Sequence, residues 1–126
     1  MNKADWDYVK EQLQSFWHPV ELLIDGYKVS LKLERMDTYN NAIVMYINGW
    51  MKGEWSMSDC EERRRFFRPV TRYFYSKKQR KKLPKKYFPS AHKPYTYYMP
   101  TWKSFNRMKA HFIKHNESIE LLKEQS

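Results

Sequence analysis

The chain opens with apolar residues three and four apart. Trp6, Val9, Leu13 and Phe16 make one stripe of a helix predicted from about Lys3 to Phe16, with Asn2 and Asp5 spaced for a capping box. His18-Pro19 should end it, because proline lacks a backbone donor and disfavours helix in the residue before it. The apolar period then drops from ~3.6 to ~2. Val20, Leu22 and Ile24 alternate up to Asp25-Gly26, and Tyr27, Val29, Leu31 and Leu33 alternate after it, which predicts a hairpin with one polar face. After a loop at Asp37 to Asn41, the run Ala42 to Ile47 meets Asn48-Gly49, a favoured type I′ turn sequence, and Trp50 to Trp55 is predicted to return as a fourth strand.

Ser58 and Glu61 are spaced as a capping box for a short helix through Arg63-Arg64-Arg65-Phe66-Phe67-Arg68 that should stop near Pro69. Beyond it, Pro69, Pro84, Pro89, Pro94 and Pro100 predict loops and short pieces, with a helix over Ser76 to Lys82. Thr101 is placed to cap a last long helix carrying Trp102, Phe105, Met108 or Lys109, and Phe112, and Asn116 to Leu122 would form a short terminal helix. The expected fold is α+β, a four-stranded antiparallel meander packed with the N-terminal helix and C-terminal helices.

Length changes this picture little: 126 residues suit one domain of ~100 to 150. Charge changes it a great deal. Residues 1–62 carry 6 basic and 11 acidic side chains, a scaffold of net −5; residues 63–116 carry 17 basic and no acidic ones, and the tail 117–126 has one basic and three acidic. An ordinary solvated surface mixes both signs, so the middle segment reads as a region built to meet a polyanion. Apolar runs fall well short of the ~18 residues that span a bilayer, and Met1 to Trp17 has no signal-peptide pattern, so a cytoplasmic location without membrane contact is expected. The lone Cys60 permits no internal disulfide, in keeping with a reducing compartment.

Within the basic segment, Arg63, Arg64, Arg68, Arg72, Lys77, Lys78, Arg80, Lys81, Lys82, Lys85 and Lys86 lie among Tyr73, Phe74, Tyr75, Tyr87 and Phe88, and Lys103 and Arg107 follow on the last helix. Cations neutralise phosphates while flat rings stack on unpaired bases, so these residues, with Tyr75 as the aromatic member, are the candidate nucleic-acid site. The plainer reading makes Phe66, Phe67, Tyr73 and Phe74 core residues under a charged loop. Three consecutive helical arginines point ~100° apart, so at least one of Arg63, Arg64 and Arg65 should pair with Glu61, Glu62 or another acid of the first half.

Other chemistry has thin support. His111 and His115 are four apart, a spacing that can hold a metal, but no zincin acid lies between them and they are read as helix C-terminal histidines. Asp59, Glu61 and Glu62 oppose a thiolate at Cys60. The carboxylates lie outside the basic segment and no phosphate-cradling glycine loop is present, so neither an enzyme, nor a cofactor, nor a bound metal is expected.

Ile47-Asn48-Gly49-Trp50-Met51-Lys52-Gly53-Glu54-Trp55, Cys60 to Pro69, and Phe112-Ile113-Lys114-His115-Asn116 give the chain a resemblance to small uncharacterised proteins of phages and mobile elements of gut bacteria. The resemblance implies an accessory protein acting in the bacterial host cell, in a class that includes anti-CRISPR inhibitors of host defence nucleases, and it brings no site residues with it. A basic inhibitor would have to grip guide RNA, target DNA or an acidic face of the effector. The expected partner is therefore RNA, DNA or a ribonucleoprotein such as a CRISPR effector, the alternative being a protein-interaction module that docks on an acidic partner.

Overall fold

The computed structural model describes residues 1–122. Helix α1 spans Lys3–Gln12, and the predicted box caps it: Asn2 Oδ1 accepts from Asp5 N at 2.9 Å while the Asp5 carboxylate accepts from Asn2 N. It ends a turn earlier than the apolar stripe predicts. Leu13 is buried as the C-cap, but Phe16 stays exposed, so the stripe's last member adds no burial to extend the helix.

Strands β1 (Val20–Ile24) and β2 (Tyr27–Arg35) form the predicted hairpin, with Asp25 and Gly26 both at positive φ, as a type I′ turn demands. β3 (Asn41–Ile47) pairs with β2 along its whole length. The predicted fourth strand does not form. After the Asn48-Gly49 turn only Trp50 bridges back to Ile47, and the chain then leaves the sheet as the one-turn helix α2 (Glu54–Met57), closed by the Ser58 hydroxyl donating to Glu54 O. The β3 edge is taken instead by β6 (Thr101–Trp102), and β7 (Ile119–Leu122) flanks β1 where a terminal helix was expected. Ile119 and Leu121 alternate with Glu120 and bring their apolar side chains beside Ile24 and Leu22, which a helix at that place would not do. The sheet thus has five antiparallel strands in the order β6-β3-β2-β1-β7.

Helices α1, α3 (Glu61–Phe66) and α5 (Phe105–His115) share one core with the apolar side of this sheet. Val9, Leu13, Leu22, Leu31, Met45, Phe66 and Phe112 belong to it, and the Phe66 ring meets Phe112 and Tyr27 edge to face at 5.8 and 5.5 Å. Burying each phenylalanine contributes about 1.5–3 kcal/mol. α3 begins after Cys60 and ends at Phe66, three residues before Pro69. The cap of α5 is Ser104, whose Oγ accepts from Arg107 N, because Thr101 is committed to β6. Trp102 is buried in the core and its Nε1 donates to Phe66 O at 3.0 Å.

Arg65 shows what becomes of a cation inside this scaffold. Its guanidinium donates to Asp25 at 2.6 Å, to Glu61 and to Asn116 Oδ1, and Asn116 in turn donates to Phe112 O and Arg65 O. Asp25 also accepts the N–H groups of Glu117 and Ser118. Those two N–H groups, and then Arg65, hold its carboxyl below the ordinary carboxylate value. One cluster therefore ties the β1–β2 turn to α3 and to the exit of α5. Of the three consecutive arginines, Arg65 is the one fully committed to acids.

Between α3 and β6 the chain builds a separate two-stranded ribbon of β4 (Arg68–Arg72) and β5 (Tyr95–Met99), a region expected to hold only loops and short pieces. Its connection contains α4 (Lys77–Lys81), capped reciprocally by Ser76 and Gln79 near the predicted bounds, and a single 3-10 turn at Pro89–His92. Pro69 sits within β4, as proline can in a strand with no neighbour on its other side.

Candidate nucleic-acid interface

The register assigns the two faces of the ribbon. Arg68, Val70 and Arg72 pair with Met99, Tyr97 and Tyr95 on one face, while Pro69 and Thr71 pair with Tyr98 and Thr96 on the other. On the first face the rings of Phe74, Tyr95 and Tyr97 follow one another in a row, centroids 4.8 and 6.1 Å apart and planes inclined by 32° and 27°. The row is open to solvent: Phe74 is 79% exposed, Tyr95 39% and Tyr97 37%. Other aromatic side chains are exposed as well, Trp17, Tyr39 and Trp50 among them, but these three rings form a continuous row.

The candidate cations divide by what they touch. The Arg63 guanidinium lies 3.7 Å from the centre of the Tyr98 ring, on the opposite face, and pins the ribbon to α3 with its Nε buried. Arg80 does the same at the other end, 3.6 Å over Tyr73 with Nε buried, and anchors α4 to the residue after β4. Both are committed to the architecture. Arg64 is exposed but meets Asp59 at 3.4 Å and Cys60 O. Arg68 is half-buried and its Nε donates to Thr101 O at 2.9 Å, which aligns its fork.

The remaining candidates are exposed. Arg72 stands on the ladder face beside Tyr95, followed by Tyr75 and by Lys77, Lys78, Lys81 and Lys82 on and after α4, then Lys85 and Lys86. The Lys86 ammonium lies 5.6 Å from the Tyr87 ring. None of these forms an ion pair among the described residues. Lys103 and Arg107 are also exposed, away from the ribbon tip, where Lys103 helps to lower Asp37 after the larger effect of Asn40 and the local backbone. The structure thus sets Arg72 on the face of the ring row, while Arg63 and Arg80 stack on Tyr98 and Tyr73.

Phe66 and Phe67 are core residues, as the plainer reading has it, whereas Tyr73 and Phe74 are not: both are exposed. Sequence inspection missed Tyr95 and Tyr97. The signal was there: Tyr95-Thr96-Tyr97 alternates with period ~2 between Pro94 and Pro100, but the strand is too short for that pattern to stand out among proline breaks. It also missed Lys114, which lines a cavity of about 350 Å³ with Arg68 and Arg107.

His111 and His115 stack with ring centroids 4.2 Å apart, and among the described residues no three His, Cys, Asp or Glu side chains converge as a metal set. Burial, reinforced by His115, pushes His111 down to about 4, and its Nε2 is buried without a partner. At Cys60 burial outweighs the Arg63 N–H and raises the thiol. No helix among the described residues is long and apolar enough to cross a membrane. Comparison with protein-family models, curated proteins and solved structures finds no match.

Proposed function

We propose that this chain is a binding protein, not an enzyme, that takes single-stranded nucleic acid, free or displayed on a ribonucleoprotein, along the β4–β5 ribbon. The observation that carries the reading is the exposed row Phe74–Tyr95–Tyr97 with Arg72 on the same face. Stacking one base on such a ring contributes about 1–3 kcal/mol and tolerates any sequence, whereas duplex bases are already stacked on each other. The unpaired lysines of residues 77–86 supply the phosphate contacts. In the setting that the resemblance implies, the protein belongs to a phage or mobile element and inhibits a host CRISPR effector by occupying guide RNA or exposed DNA.

The test is affinity for single-stranded and duplex RNA and DNA over a range of salt. Single strands should bind more tightly, and Lys81→Ala with Lys82→Ala should flatten the logarithmic salt slope by about 0.7 for each lysine that contacts a phosphate. Absence of binding at low salt would sink the reading and leave an acidic protein surface as the partner of the basic segment.

A further inference from the structure

Arg68 begins the ribbon at its root, and the open cavity it lines is flanked on the other side by one face of α5. Arg107, Ala110, His111 and Lys114 recur at helical spacing along that face, with the small Ala110 between the two cations leaving room. Pro69 and Trp102 complete the wall, and among the described residues no carboxylate lines the cavity. Three cations gathered without an acid repel one another unless an anion joins them. Neither Arg107 nor Lys114 has an ion-pair partner among the described residues, so both are available. Arg68 is already oriented by its bond to Thr101 O, and an aligned guanidinium loses little freedom when its terminal nitrogens fork onto an oxyanion.

We propose that this cavity is a phosphate site, and that it receives the terminal phosphate of a nucleic-acid strand lying along the ribbon. The terminal assignment rests on the nucleic-acid reading above; the phosphate site does not. Two features favour a terminus over an internal linkage. A monoester carries about −1.5 to −2 charges near neutral pH, against one for a diester, and so matches three cations better. The row also leads there: Tyr95, Tyr97 and Met99 succeed one another on the same face, Met99 pairs with Arg68, and Arg68 lines the cavity whose other side is α5. A strand followed from Phe74 past Tyr97 therefore brings its end to the cavity.

Calorimetric titration of the full chain with one short single strand, bearing a phosphate at one terminus, at the other, or at neither, tests this. One of the phosphorylated strands should bind at least about tenfold more tightly than the bare one, the worth of a single charge-assisted contact. Arg107→Gln with Lys114→Gln, two exposed positions, should abolish the difference and leave the bare strand bound, while Arg107→Lys with Lys114→Arg should retain most of it. Equal affinity of all three strands for the unmodified protein, or an advantage that survives in R107Q/K114Q, overturns the terminal assignment while the nucleic-acid reading stands. If no strand binds, that reading fails, and inorganic phosphate alone decides the cavity: heat of binding lost in R107Q/K114Q supports a site for the free ion, and no heat in the unmodified protein overturns it.

Discussion

The molecule contains two antiparallel hairpins that use alternation in opposite ways. In β1–β2 the alternating residues are aliphatic, the turn is two residues long, and Val20, Leu22, Ile24, Val29 and Leu31 disappear into the core. In β4–β5 they are arginine, tyrosine and methionine with a single buried aliphatic, Val70, residues 73–94 separate the strands, and Tyr95 and Tyr97 remain at the surface. The cations differ in parallel: Arg65 is locked against Asp25 and Glu61, whereas Arg72 and the α4 lysines form no ion pair among the described residues. One hairpin gives its inward side chains to the fold, and the other is held by the fold with Arg72, Tyr95 and Tyr97 left at the surface. The holding is visible in Arg63 on Tyr98 and Arg80 on Tyr73, cations used as clamps in a region otherwise rich in unpaired charge.

The contrast breaks hardest in the core. Phe112→Ala, at a fully buried ring, should cost about 3–5 kcal/mol and lower the Tm by roughly 10 °C or more, measured by thermal denaturation. On the ribbon the pattern should reverse. Tyr95→Ala with Tyr97→Ala should leave the Tm within a few degrees but weaken single-strand binding by about 1–3 kcal/mol for each ring that carries a base. A large loss of stability from that pair would instead make the row part of the core.

The smallest effect concerns pH. His111 has a folded pKa of about 4 against an ordinary 6.5, so the unfolded chain takes up the proton first as pH falls. Its contribution to stability is complete above about pH 6.5 and is lost as pH falls toward 4. Asp25, held below 3.8, retains its own contribution until lower pH and loses it there. Melting curves between pH 7 and 4 should show the decline, and His111→Gln, which removes the titrating ring beside Trp102, Lys114 and His115, should flatten it.

Much of the scaffold was legible because its signals are local. Asn2 and Asp5 cap α1, Asp25-Gly26 turns β1 into β2, and Ser76 with Gln79 starts α4, each within a few residues of chain. The errors fall where partners are distant. Trp50 to Trp55 follows the Asn48-Gly49 turn that would return a strand, but the place beside β3 belongs to Thr101–Trp102, and Ile119–Leu122 becomes a strand because β1 offers an edge.

The sequence by itself determined that residues 63–116 are basic without a single acid and that a helix and hairpins precede them, since charge and short-range periodicity need no partner. Only the tertiary structure decided which cations are free. Arg63, Arg64 and Arg65 are adjacent in the chain, yet one stacks on Tyr98, one meets Asp59 at the surface and one is locked to Asp25 and Glu61. The ring row and the cavity lined by Arg68, Arg107 and Lys114 likewise exist only after strands more than twenty residues apart have paired and α5 has packed against the ribbon's root. Long-range pairing of short segments leaves too little local pattern to be read before the chain folds.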